Sequence, residues 1–202
     1  MLKSELAPQS TLAPGFSLSE LLVATAVIVV AVAGSAAAVS SGLAEARGAG
    51  AGRYLAMLLQ QARARAVLEG VAVGLHFAER DGRTIMALVR DGDGDGIRSA
   101  DIDSGIDPIV TPYEAMDERF RGVEFRIGTD CVSPDGLEVL RRGSDALRIG
   151  RTSTLVFTPL GTSSSGSMYL CGASGPQVVV RVLGATGRSR AMAWASGGWQ
   201  PL

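Results

Sequence analysis

Charged residues are unevenly distributed along this chain, and one long stretch near the amino terminus, residues 21–44, contains none. It is built mainly from Leu, Val, Ala and Ile, and no proline interrupts it. At 1.5 Å per helical residue the stretch is long enough to cross a hydrocarbon core of ~30 Å. A removable secretory signal peptide has a shorter apolar core. A buried core helix is the remaining alternative, and we predict a membrane-spanning helix.

A second helical pattern follows over residues 45–70. Apolar residues recur there at spacings of four, three and four, which places them on one helix face: Leu55, Leu59, Ala62 and Ala66. Between the two patterns, residues 47–53 contain three alternate glycines, each of which costs about 1 kcal/mol in a helix. We therefore expect the helix to continue through residue 70 but to fray or kink at 47–53.

After Gly70 the pattern changes to short β-branched or apolar runs, each bounded by Gly, Pro, Asp or Ser. Six such runs predict strands, at residues 71–77, 84–89, 123–127, 154–158, 168–171 and 178–183. One long helix followed by many short strands predicts an α+β fold. In this fold the apolar helix stripe packs on an antiparallel sheet within a globular domain over residues 71–202.

Composition narrows the functional class. The chain has 202 residues, of which 47% are hydrophobic and 19% charged, and its net charge is −1. These values exclude a disordered chain and a protein that neutralises phosphates over its whole surface. The only histidine, His76, lies in an apolar run, so we expect it to be structural, and we expect Trp194 and Trp199 to pack. No catalytic set can be assembled, and we predict that the chain is not an enzyme.

The residues before the uncharged stretch have a recognisable order: Gly15, Phe16, then Glu20. This order resembles the type IV prepilin signal. The resemblance implies that a membrane peptidase removes residues 1–15 as a leader and methylates the new amino-terminal Phe16. Residues 16–44 would then be a transmembrane or fibre-core helix. Glu20, the fifth mature residue, would pair with the amino terminus of a neighbouring subunit and so neutralise both charges.

The strand-rich end carries two further segments, TLVFTPLGTSSSGSMYL at 154–170 and VVVRVLGATGRSRAMAW at 178–194. Together with the amino-terminal signal they resemble the GspH/FimT family of pseudopilins and minor type IV pilins, in which they correspond to the closing hairpins. The resemblance implies a pilin-like helical spine and a minor pseudopilin of a type II secretion system, involved in protein secretion. It also implies a single pass through the bacterial inner membrane, with the globular domain in the periplasm. Its partners would be other pseudopilins or minor pilins and the prepilin peptidase/N-methyltransferase. The alternative is a minor type IV pilin that binds DNA during natural transformation.

An acidic loop begins at Asp91 and has the start of a calcium-binding pattern. Carboxylates at Asp91, Asp93 and Asp95 precede Gly96, where a calcium loop needs a sharp turn. A calcium loop needs a carboxylate at its twelfth position, but the nearest acid, Asp101, is at the eleventh. Asp103 and Asp107 could supply further oxygens. Calcium is therefore a candidate ligand. A solvated acidic turn is the alternative, because Asp-Gly is also common turn chemistry.

The carboxyl-terminal end is basic. Residues 146–202 contain five arginines and no Asp or Glu. Arg188 and Arg190 are two residues apart, and arginines two apart on a strand share a face and can bind phosphate oxygens. The resemblance implies that this segment binds DNA, as in the family members that act in natural transformation. A charged edge strand that resists aggregation is the alternative.

The chain contains two cysteines, Cys131 and Cys171, both in the region predicted to lie outside the membrane. In an oxidising compartment a bond between them would stabilise the fold by roughly 4 kcal/mol on the chain-entropy model. We expect this disulfide. Two unpaired buried thiols are the alternative.

Overall fold

The computed structural model describes residues 15–150 and 152–202, without the side chains of residues 33–38. The predicted leader, apart from Gly15, lies outside these residues. Helix α1 spans Leu18–Glu69, and the chain divides into two units after Ser40. Within the part that the structure describes, no helix has the length and apolar character needed to cross a membrane.

Among the described residues, fourteen shorter elements follow α1, two of them helices and twelve of them strands. The helices are α2 (Ser99–Ser104) and α3 (Met116–Arg119). The strands are β1 (Val73–Arg80), β2 (Arg83–Arg90), β3 (Glu114–Ala115), β4 (Val123–Phe125), β5 (Cys131–Val132), β6 (Val139–Leu140), β7 (Leu147–Arg148), β8 (Thr154–Phe157), β9 (Gly166–Gly172), β10 (Gln177–Leu183), β11 (Arg188–Ala195) and β12 (Gly198–Pro201).

The strands form three antiparallel sheets. The first has the order β3-β2-β1-β8, and the second has the order β12-β11-β10-β9-β4, with β7 also paired to β9. Strands β5 and β6 form a separate two-stranded hairpin. The α+β class with antiparallel sheets is thus confirmed, and each of the six predicted runs overlaps an observed strand.

The carboxyl-terminal part of α1 supplies the centre of the main core. All four residues of the predicted stripe are completely buried, and Ala51 and Leu58 extend it. They pack against buried side chains of both large sheets, among them Leu75 of β1 and Val180 of β10. Burying one leucine side chain stabilises the folded state by roughly 1.5–3 kcal/mol. This one face therefore binds the helix to both sheets.

A smaller core lies on the other face of the second sheet. It contains Ile127, Cys131, Leu140, Ala146, Tyr169 and Val179. Val179 points away from the main core because successive side chains along β10 alternate between the two faces of the sheet. The β5–β6 hairpin therefore covers the outer face of β9 and β10.

The glycine-rich stretch of α1 neither frays nor ends the helix. Gly50 and Gly52 lie within α1 and face the sheet side of the molecule. A Cβ atom at Gly50 would come within 2.8 Å of the Phe120 ring, and one at Gly52 within 2.7 Å of Val178 Cγ1. The glycines therefore allow close packing, a role that the sequence-based expectation of a kink missed.

This packing predicts opposite effects of the same substitution at two helical glycines. Gly42 has no atom within 4 Å of the position of a Cβ, so Gly42→Ala should stabilise the helix by up to about 1 kcal/mol. Gly52→Ala should instead lower the thermal unfolding midpoint, because overpacking costs about 1–3 kcal/mol. Circular dichroism melting of the detergent-solubilised chain measures both. A higher midpoint for Gly52→Ala would show that the contact is not close.

Candidate functional site

The predicted processing site lies immediately before the first helical residue. Gly15, Phe16 and Ser17 are not helical, and Phe16 is 85% exposed. Ser17 caps α1, since the Glu20 backbone N–H donates to Ser17 Oγ at 3.2 Å and to the Ser17 carbonyl oxygen at 3.1 Å. The peptide bond between Gly15 and Phe16 is therefore in accessible, non-helical backbone, the form that a peptidase needs in order to bind it.

Glu20 is exposed in the first turn of α1. Ser17 and Glu20 have the spacing of a capping box, in which the two residues satisfy backbone N–H groups at a helix start. A carboxylate here is also favoured by the helix dipole. Sequence reasoning missed the helix cap at Ser17, although the Ser-x-x-Glu spacing before an apolar run was the signal for it.

The acidic loop between β2 and α2 is organised around two buried carboxylates, Asp91 and Asp107. Asp91 accepts hydrogen bonds from the backbone N–H groups of Gly94, at 2.7 Å, and Gly96, at 3.2 Å. Asp107 accepts from the N–H groups of Gly92, at 2.9 Å, and Arg98, at 3.1 Å. Gly96 has a φ of 96°, so the sharp turn expected at this position is present.

The structure brings together a different set of aspartates from the one predicted. Carboxylate oxygens of Asp91, Asp93 and Asp107 lie within 4.8 Å of one another and are suited to holding a metal ion. Asp95 instead forms an ion pair with Arg98, and Asp101 lies 4.0 Å from the same guanidinium. The calcium hypothesis therefore now concerns Asp91, Asp93 and Asp107. The third carboxylate of this set, Asp107, lies in the segment that follows α2 and returns to β2, and not in α2 itself.

Arg188 and Arg190 lie on β11 and are both exposed. Ser189, between them, points to the opposite face: its hydroxyl accepts from Gln60 Nε2 at 2.8 Å and donates to the Ala56 carbonyl oxygen at 3.3 Å. The two arginines thus share the face of the second sheet turned away from α1, as the spacing predicted. None of the salt bridges between the described residues includes either side chain.

The same face carries an arginine row that the sequence did not reveal. Arg148 of β7 is opposite Ser167 of β9, Ser167 is opposite Arg181 of β10, and Arg181 is opposite Arg190 of β11. Arg148 forms an ion pair with Glu138, and Arg181 Nη2 lies 3.0 Å from Asp135 Oδ2. Carboxylates of the segment between β5 and β6 therefore neutralise two arginines of the row, Arg148 and Arg181. The other two, Arg190 and Arg188, lie on β11.

The predicted disulfide is not present, and Cys131 and Cys171 are free, buried thiols. Cys131 begins β5 and packs in the smaller core, where burial raises the pKa of its thiol. Cys171 lies in β9, with its thiol donating to the Gly172 carbonyl oxygen at 3.1 Å and packed closely against Gly128. The two thiols therefore have different neighbours. The structure agrees with the alternative expectation of two unpaired, buried thiols.

His76 and the two tryptophans occupy structural positions. His76 is buried, with its Nδ1 2.8 Å from the Thr154 hydroxyl, and burial lowers the pKa of its imidazole. The rings of Trp194 and Trp199 contact each other edge to face at 5.2 Å, and Trp199 Nε1 donates to the Val132 carbonyl oxygen. Trp199 thereby ties β12 to the β5–β6 hairpin.

Comparison with known proteins gives one match. A family model described as type II transport protein GspH matches residues 51–198, which is more than half of the chain. No curated protein and no solved structure matches the chain. The matched region begins in the buried part of α1 and includes β1 to β11 and the first residue of β12.

The revised acidic set gives a measurable prediction. Calorimetric titration of the detergent-solubilised chain with calcium chloride should give binding heat, and Asp93→Asn should weaken the binding because one charged ligand is lost. Glu124→Gln removes an exposed carboxylate of β4 and should leave the titration unchanged. If the wild-type chain gives no heat, the loop is a turn held by its own backbone hydrogen bonds.

Proposed function

Because the chain belongs to the GspH family of type II transport proteins, we propose that it is a minor pseudopilin, a structural subunit of a type II secretion pseudopilus involved in protein secretion. The family match carries this proposal. It extends over the β-rich domain, whereas the prepilin-like signal is at the opposite end of the chain. Two separate regions of the sequence thus support the same assignment.

In this proposal prepilin peptidase cleaves the bond between Gly15 and Phe16 and methylates the Phe16 amine. The exposed, non-helical backbone before Ser17 supports the first step. Cleavage here removes the leader but leaves α1 intact, so the apolar helix is retained in the mature chain. The mature amino terminus then lies two residues before the start of α1.

The proposed anchor is the first part of α1. Eight aliphatic side chains there are 60% to 73% exposed: Leu21, Leu22, Val23, Val27, Ile28, Val29, Val30 and Val32. They are spread around the helix, and a helix that is apolar all round is stable only when it is surrounded by lipid or by other apolar helices. We assign this segment to the inner membrane before assembly and to the helical core of the fibre afterwards, with the globular domain in the periplasm.

Glu20 has the proposed role of setting the register between neighbouring subunits. A carboxylate at the start of an apolar helix is costly in lipid unless it is paired. The methylated amine of Phe16 in a neighbouring subunit carries the positive charge that would neutralise this carboxylate. The chain catalyses no reaction in this role. It acts through its contacts with other pseudopilins.

The alternative, a minor type IV pilin that binds DNA, depends on Arg188 and Arg190. Both are exposed on one face, which favours anion binding. However, the other two arginines of the row already pair with carboxylates of the chain itself. Neutralising few phosphates gives weak, salt-sensitive binding. This alternative requires a DNA gel shift at low salt that is lost in an Arg188→Ala/Arg190→Ala double variant.

Processing is tested by mass spectrometry of the mature amino terminus in the bacterium that produces the chain. We expect a chain that begins with N-methylated Phe16. The variant Gly15→Val should retain the leader, because a branched side chain next to the cleaved bond would obstruct its binding in the peptidase. An intact Met1 in the wild-type chain, or cleavage beyond Ala44, would overturn the proposed processing.

The role of Glu20 is tested by Glu20→Gln. Glutamine preserves the capping box but removes the charge, so we expect normal helix content and processing, with strongly reduced recovery of the subunit in sheared fibres. Glu45→Gln changes an exposed glutamate of the same helix and should assemble normally. If Glu20→Gln assembles as well as the wild-type chain, Glu20 acts only as a helix cap.

A further inference from the structure

We propose that Arg188 and Arg190 form a docking site for a partner protein segment that presents carboxylates in extended conformation. The inference concerns the globular domain and goes beyond the assembly role of α1. It follows from the arginine row on the outer face of the second sheet, in which carboxylates of this chain already pair with Arg148 and Arg181.

The occupied half of the row shows which ligand the face accepts. The segment that connects β5 to β6 crosses the outer face, and its Asp135 and Glu138 pair with Arg181 and Arg148. Asp135 is held in place by the Ser133 hydroxyl and by the Leu137 backbone N–H, at 3.3 Å. The chain's own hairpin is thus an example of an acidic, strand-flanked segment bound to this surface.

The unoccupied half carries uncompensated charge. Arg190 is directly opposite Arg181 on the neighbouring strand, and like charges in such a position repel each other. Asp135 compensates Arg181, and no salt bridge between described residues compensates Arg190 or Arg188. A carboxylate bound at Arg190 would compensate this remaining charge, as Asp135 compensates Arg181.

The hairpin leaves this half of the row open. Trp199 Nε1 donates to the Val132 carbonyl oxygen at 2.6 Å, which fixes β5 over the far end of β11 and β12. Met192 and Trp194 of β11 are partly buried there against the smaller core. Arg188 and Arg190, at the other end of the same strand, remain exposed. The open surface therefore borders an apolar region that a bound segment can also contact.

The spacing of the two arginines defines the ligand. Residues two apart on a strand project about 7 Å apart on one face. Acidic residues at alternate positions of an extended segment have the same spacing, so both guanidinium groups can be paired at once. Guanidinium–carboxylate pairs can also be bidentate, which adds orientation to charge. The observed carboxylate pairs favour a protein segment over nucleic acid.

The experiment measures binding of three fluorescent probes to the detergent-solubilised full-length chain at low salt. The probes are an alternating Glu-Thr peptide, the matching Gln-Thr peptide, and an oligothymidylate of the same net charge as the Glu-Thr peptide. We expect the Glu-Thr peptide to bind most tightly. The double variant Arg188→Gln/Arg190→Gln should bind it at least tenfold more weakly, while Arg83→Gln, an exposed arginine of the first sheet, should bind normally.

Thermal unfolding gives an independent measurement. The Glu-Thr peptide should raise the unfolding midpoint of the wild-type chain but not that of the double variant. Equal binding of the peptide by both chains, or no binding by the wild-type chain, would overturn the proposal. Tighter binding of oligothymidylate would show a nucleic-acid surface instead. These outcomes do not depend on Gly15, Phe16 or Glu20, so they are distinguishable from a failure of the pseudopilin assignment.

Discussion

The interaction on which the rest of the globular domain depends is the burial of one face of α1 between two antiparallel sheets. Leu55, Leu59, Ala62 and Ala66 are completely buried and contact side chains from both sheets. Gly50 and Gly52 extend this interface because they let the helix approach Phe120 and Val178 closely. Small residues on this face therefore serve packing, and the helix remains intact through a stretch that its composition alone would weaken.

A second constraint acts on the outer face of the second sheet, where a small apolar core and an arginine row lie side by side. The β5–β6 hairpin covers the apolar part, and its carboxylates neutralise Arg181 and Arg148. Two of the five arginines in the basic carboxyl-terminal end are therefore compensated by acidic residues from the middle of the chain. Only the β11 end of the row is left for another molecule.

The candidate sites differ in how far local sequence could identify them. Gly15, Phe16 and Glu20 are close in sequence, and the structure places them around one helix start. The acidic cluster includes Asp107, which lies outside the Asp-Gly pattern of residues 91–96. Asp107 binds the Gly92 and Arg98 backbone N–H groups because the chain returns to β2 after α2. The disulfide is not present, because spacing along the chain does not fix which buried thiols meet, and Cys131 and Cys171 are both free.

The sequence by itself determined the long helix, its buried stripe, six of the strands and the family, because hydrophobic periodicity and short motifs are local properties of the chain. Only the tertiary structure decided which charges meet. Asp95 pairs with Arg98, Asp107 joins Asp91 and Asp93, and Arg190 comes to lie opposite Arg181. These contacts are set by strand register and chain return, which bring together residues far apart in sequence. The open arginines of β11 are defined in the same way, by where the hairpin ends.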